Sequence, residues 1–305
     1  MAQETISDIA QRVFISQLEA IQNNLDGCVK GVDPIHLHDL RVANRRLRAA
    51  MSEFKDLIPE GEYLKYRKDF RWFHNITGDV RDLDVSLAHI PAFLKEMPKE
   101  WQPHLKPMQD LLETKQSAAQ SILAEKLSSE RVLKILNGWA KILESGVIKT
   151  GSAAHEPARE YGCRMIVKRY RKVRKKGLAL TKKTPADRFH AYRIIIKRLR
   201  YLMEFLRPVI ESEDFTRLRT GLKTVQDAFG VFQDADVQRE RMLDIASELH
   251  KTGASAESLL ALGQLVGILE KKLKRSKKNS LRQVRWLVAD TTARSFQSCF
   301  QYPVE

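Results

Sequence analysis

An eleven-residue phrase occurs twice in this chain: HDLRVANRRLR begins at His38 and HAYRIIIKRLR at His190. A second phrase, Gly78-Asp79-Val80-Arg81-Asp82-Leu83-Asp84-Val85, is matched by Gly230-Val231-Phe232-Gln233-Asp234-Ala235-Asp236-Val237. Both pairs are 152 residues apart, close to half of the 305-residue chain. One spacing shared by two motifs reads as a tandem duplication, with each half a helical unit of similar layout. The expected halves are 1–152 and 153–305, two pseudo-symmetric bundles. Turn signals at Ser145-Gly146, Thr150-Gly151-Ser152 and Pro157 mark the join.

Each copy of the first phrase is two-faced at helical period. At ~100° per residue His38, Arg41, Arg45 and Arg48 fall in a strip about 80° wide, with Leu40, Ala43, Leu47, Met51 and Phe54 opposite. The second copy places His190, Arg193, Lys197 and Arg200 on one side and Tyr192, Ile195, Leu199 and Met203 on the other. A third such face comes from Arg164, Lys168, Arg171 and Lys175, backed by Cys163, Ile166, Tyr170 and Val173. One cation per turn, roughly every 5.4 Å, suits a linear polymer of closely spaced charges. Arginine offers a planar fork for phosphate oxygens and lysine a mobile point charge.

The remaining segments are also helical, with no strand alternation, so the expected fold class is all-α. Residues 4–29 carry Ile6, Ile9, Val13, Ile15, Leu18, Ile21 and Leu25, mostly three or four apart, and end near Gly27 and Gly31. Asp33 as N-cap with Pro34 opens the His38 helix, which Pro59 stops. Thr184 and Pro185 are expected to open the second copy, with Asp187 completing a capping box, and Pro208 to close it. Further helices are expected through Tyr63 to Phe73, Trp101 to Leu143, Phe215 to Leu249, Leu259 to Leu273 and Trp286 to Phe300.

The formal charge is +15, and it is unevenly spread: Arg159 to Arg200 holds sixteen basic and two acidic residues, and Lys271 to Lys278 adds six cations. Like charges held together repel until something neutralises them, so a polyanionic partner is expected. Three scattered cysteines, Cys28, Cys163 and Cys299, fit free thiols in a reducing compartment. Neither a secretory signal nor a membrane-spanning run is read, and the expected location is the cytoplasm.

Enzyme chemistry finds little support. His36-x-His38-Asp39 resembles half of a metal-dependent phosphohydrolase site, but the second copy reads His190-Ala191 and loses the carboxylate while keeping the cations. Asp79, Asp82, Asp84, Asp234 and Asp236 are read as helix caps or as partners that orient the neighbouring arginines. No Ser/His/Asp, Cys/His or P-loop pattern accompanies them. The expectation is therefore no catalysis, no cofactor and no metal, with a metal-dependent phosphohydrolase as the enzyme alternative. RNA is the rival binding partner, although bases call for aromatics interleaved with the cations, and only Tyr201 lies near either strip.

The two phrases and their order resemble the CHAD domain, the conserved histidine α-helical domain. Its first motif is matched by His38, Arg41, Arg45, Arg46, Leu47 and Arg48, and again by His190, Arg193, Lys197, Arg198, Leu199 and Arg200. Its second is matched by Gly78, Arg81, Asp82, Asp84 and Val85, and by Gly230, Asp234, Asp236 and Val237, with Gln233 departing at the arginine position. The resemblance extends over essentially the whole chain. It implies two helical bundles about a pseudo-twofold axis, a basic groove or pore between them, and binding of inorganic polyphosphate, with polyphosphate granules as one place of action. The expected ligand contacts are these two cation rows, including Arg46, Arg48, Arg198 and Arg200, together with Arg164, Lys168, Arg171 and Lys175. No ExExK stretch of the CYTH triphosphatase that accompanies many relatives is present.

Overall fold

Thr5 opens the first helix with a reciprocal cap: the Asp8 backbone N–H donates to its hydroxyl at 3.4 Å, and its own N–H donates to the Asp8 carboxylate at 3.2 Å. From there the chain is helical almost throughout. A computed structural model describes residues 4–302, and among them eleven α-helices and no named strand are found. They are α1 (Ile6–Lys30), α2 (Pro34–Glu53), α3 (Glu60–Ile76), α4 (Gly78–Glu96), α5 (Lys106–Leu127) and α6 (Glu130–Glu144). There follow α7 (Ala158–Leu178), α8 (Ala186–Ile210), α9 (Glu213–Lys251), α10 (Ala256–Val288) and α11 (Asp290–Phe300). The fold is all-α, as the periodicity predicts. No helix among the described residues is long and apolar enough to cross a membrane.

Several boundaries follow the cap chemistry. Asp33 accepts from the Ile35 N–H at 2.8 Å with Pro34 at the first helical position. Gly31, at φ 65°, ends α1 in the left-handed conformation that glycine adopts without a Cβ clash. Gly27 instead lies within α1, where a Cβ would sit 2.3 Å from the His36 ring, so it lets α2 approach.

Other boundaries differ from expectation. The cap of α8 is Pro185 with no side-chain bond, because the Thr184 hydroxyl turns back to accept from the Thr181 N–H at 2.9 Å. Asp187 therefore completes no capping box. Pro208 lies inside α8, two residues before its end. The segments expected at Leu259 to Leu273 and through the lysine run are one helix, α10, and the closing helix is split at Ala289.

Helix starts repeat at the motif spacing: Ile6 and Ala158, then Pro34 and Ala186, are each 152 residues apart. The two caps Thr5 and Pro157 form an antiparallel bridge. Ile6 N–H donates to the Glu156 carbonyl and Ala158 N–H to the Glu4 carbonyl, both at 2.9 Å.

Apolar side chains gather in two clusters, and both halves of the chain feed each one. The larger joins α1, α2, α3 and α6 to α7, α8 and the start of α9, with Phe54 and Phe205 at 6.1 Å across the halves. The smaller sits at the far ends of α4 and α9, where Ile90, Phe93 and Met97 meet Met242, Ile245 and Leu249, and the first turns of α10.

Candidate anion site where two cation rows meet

Burial of one face fixes the direction of the other. Leu40, Leu47 and Met51 of α2 and Tyr192, Leu199 and Met203 of α8 are all buried, so the cation rows of both helices must turn outward from the core. The rows meet at Arg45. Its Nε donates to the Tyr201 hydroxyl of α8 at 3.0 Å, and its charge depresses the basicity of Arg41 on its own helix and of Arg193 and Lys197 on the other. Burial is the first cause of each depression. For Lys197, burial and the charges of Arg45, Arg193 and Arg200 lower the pKa from 10.5 to about 7, against a single opposing carboxylate, Asp234. A lysine held there is short of negative charge.

The matched arginines of the two copies are not equally committed. Arg41 inserts between α3 and α4: its Nη1 donates to the His74 carbonyl at 2.9 Å and to the Thr77 hydroxyl at 2.7 Å. Beside it His74 is pushed down to about 3 by burial and by Arg41, Arg48 and Arg45. Arg193 faces unbroken α9 beside Gly230, and its Nε is buried without a hydrogen-bond partner.

The histidines are tied to the second motif in both copies. Arg81 donates to His38 Nδ1 at 2.9 Å, which fixes the neutral tautomer with hydrogen on Nε2; burial, then Arg81, holds its pKa below the usual histidine range. His190, exposed on α8, gives its Nδ1–H to Gln233 Oε1 at 2.6 Å, and Gln233 lies 152 residues after Arg81. His36, the other member of the suspected metal pair, turns to Asn24 on α1 at 3.1 Å. Among the described residues no three His, Cys, Asp or Glu side chains are grouped as metal ligands.

Other residues of the expected site are placed differently. Arg46, about 100° round α2 from Arg45, pairs with Glu204 at 2.6 Å and lies over the Tyr201 and Phe205 rings. Arg200 is held by Gln226 and by the same Glu204, both at 2.7 Å. Arg48 forms a second cationic group with Arg67 and Arg71 of α3 and the exposed Arg198, whose charges together with burial lower its pKa. Arg164, Lys168, Arg171 and Lys175 occupy an exposed face of α7, where Arg164 pairs with Glu156 at 2.6 Å. The α7 arginine that reaches α2 is Arg169, bound at 2.7 Å to the buried Glu53.

Sequence reasoning passed over Arg67, Arg71, Arg169 and Arg241, and did not count Arg81 among the ligand contacts. Arg81 had a signal, its place in the second motif. Arg241 of α9 crosses to α4, donating to the Ser86 hydroxyl at 3.1 Å and lying 3.5 Å from Asp82. Of the acids of the second motif, Asp236 pairs with Arg239 of its own helix at 3.6 Å, whereas Asp84 accepts from Gln116 at 3.1 Å and orients no arginine through that bond.

Fold and site together define an all-α protein in which half-buried cations from two matching helices confront one another. The chain belongs to the CHAD domain family, whose model matches residues 12–243, a family linked to polyphosphate. Among solved structures it is similar to the CHAD domain from the plant Ricinus communis, with a TM-score of 0.75 and 23% identity over 94% of this chain and 92% of that one. It is also similar to PptA from Streptomyces chartreusis, with a TM-score of 0.72 and 16% identity over 93% of this chain and 100% of that one. At these identities the likeness is one of fold. No curated protein matches the sequence.

Proposed function

We propose that the protein binds inorganic polyphosphate, without catalysis, along the facing rows of α2 and α8. The observation that carries this reading is the group Arg45, Arg193 and Lys197: three half-buried cations, one buried guanidinium N–H without a partner, and Asp234 as the opposing carboxylate. An anion that reaches them relieves repulsion and supplies the missing acceptors. His38 is set to help, since Arg81 occupies Nδ1 and leaves the Nε2–H to donate. Phosphate suits the site better than bases, because Tyr201, the aromatic nearest the rows, is buried with its hydroxyl bound to Arg45. Retention at polyphosphate granules in the cytoplasm follows from the same binding.

Charge-assisted bonds contribute about 1.5–3 kcal/mol each, so Arg45→Ala or Arg193→Ala is expected to weaken binding by about tenfold or more. Calorimetric titration with polyphosphate at several salt concentrations checks this, and affinity must fall steeply with salt. Unchanged affinity in both variants sinks the reading. Phosphate release in the presence of Mg²⁺ or Mn²⁺ would establish the hydrolase instead, and displacement of polyphosphate by RNA of matched charge would favour a nucleic-acid ligand.

A further inference from the structure

Outside the facing rows lies a second concentration of positive charge, on α10. A cleft of about 570 Å³ is lined there by Lys271, Lys272, Arg275 and Asn279, with Val231 of α9 and Glu96 of α4. The three cations are exposed, and none has an ion-pair or hydrogen-bond partner among the described residues. Three unpaired positive charges against one carboxylate make a concave anion-binding subsite.

Its position connects it with the rows. Val231 and Asp234 lie one turn apart on a single face of α9, and Asp234 is the carboxylate that acts on Arg193 and Lys197. On the other side Lys277 of α10 donates to the Thr184 carbonyl at 2.7 Å and sits over the Phe189 ring, at the first turn of α8 beside His190. The row Arg200, Lys197, Arg193, His190 therefore runs toward the end of α8 that α10 clasps.

We infer that the α10 cleft is a distal subsite for phosphoryl groups of a polyphosphate chain whose other end lies between α2 and α8. The inference rests on the proposed function and adds chain-length selection to it: a long chain reaches both sites and a short one only the first. Linked sites gain affinity through effective concentration, without new chemistry at either.

The test compares long-chain polyphosphate with tripolyphosphate on the full chain at fixed salt. The variant is Lys271→Gln/Lys272→Gln/Arg275→Gln, in which glutamine preserves helix propensity. A second variant, Lys126→Gln/Lys134→Gln/Lys141→Gln on α5 and α6, removes the same charge elsewhere. The cleft variant should lose at least tenfold in long-chain affinity and show a shallower salt slope, while tripolyphosphate changes by less than about twofold. The α5/α6 variant should hold long-chain affinity within about threefold. Unchanged long-chain affinity, equal loss for both probes, or an equal loss in the α5/α6 variant overturns the inference. Arg45→Ala, tested beside them, weakens both probes if the rows bind phosphate. If Arg45→Ala leaves both probes unchanged while the cleft variant still loses long-chain affinity, the proposed function fails and with it the link between the two sites. If Arg45→Ala weakens both probes and the cleft variant neither, the cleft inference alone fails.

Discussion

Lys197 shows how far one side chain can be driven by its neighbours. Its pKa in the folded chain is about 7, against an ordinary 10.5, so between these values the unfolded chain binds more protons than the folded one. By linkage, stability without ligand then rises as pH increases from about 7 toward 10.5. His74, lowered from 6.5 to about 3, contributes with the same sign in the acid range. Lys197→Met is expected to flatten the alkaline rise in denaturant melts taken across that range, and an unchanged slope would place the titrating group elsewhere. A bound polyanion reverses the imbalance by favouring charged lysine. Binding near pH 8 should therefore take up a proton, visible as a calorimetric enthalpy that depends on the buffer, and affinity should fall as pH is raised. Lys197→Met should abolish the uptake.

At the scale of the element, the two copies differ where one residue differs. Thr77 closes α3, and its hydroxyl donates to the His74 carbonyl at 2.8 Å while Arg41 enters from the side. The matching position, 152 residues on, is Phe229, whose ring packs between Phe189 and Tyr192 at 5.5 and 5.2 Å. There α9 continues unbroken. A threonine at a helix interior can bond the backbone of the preceding turn and bend it, whereas a buried phenylalanine is held by rings. Arg41→Ala is consequently expected to cost about 1.5–3 kcal/mol of stability, measured by urea unfolding. Arg193→Ala should change stability less and polyphosphate affinity more, and the opposite ranking would reverse the roles assigned to the pair. This asymmetry was hardly legible in the sequence, since Gly78 and Gly230 look alike and the repeat suggests equal copies. What was legible came from period: the buried faces of α2 and α8 follow from 3.6-residue spacing alone. Period says which face is polar, not what that face meets. It therefore grouped the exposed row of α7 with the facing rows, and it missed Arg169, which packing sends to Glu53.

The whole molecule raises a question the repeat alone cannot answer, whether each half is a folding unit. A length of 152 residues is ample for an independent domain. The cores argue otherwise, because neither cluster is confined to one half. Separating residue 152 from 153 would expose Phe54 and Phe205, and divide Ile90, Phe93 and Met97 from Met242, Ile245 and Leu249. It would also leave Glu53 buried without Arg169, and break the Arg46–Glu204 pair. Removing one partner of a buried ion pair costs about 3–5 kcal/mol, comparable with the lower end of a domain's net stability. Fragments 1–152 and 153–305 are each expected to keep helical signal but to melt without a sharp transition and to bind a hydrophobic dye. Mixed in equal amounts they should recover a cooperative transition, and polyphosphate should raise its midpoint, because its proposed contacts are divided between α2 and α8. Cooperative melting of either fragment alone would mean that the halves are separate domains after all, and that the facing rows are an interface between them. In that case ligand should act on their association and leave the stability of each fragment unchanged.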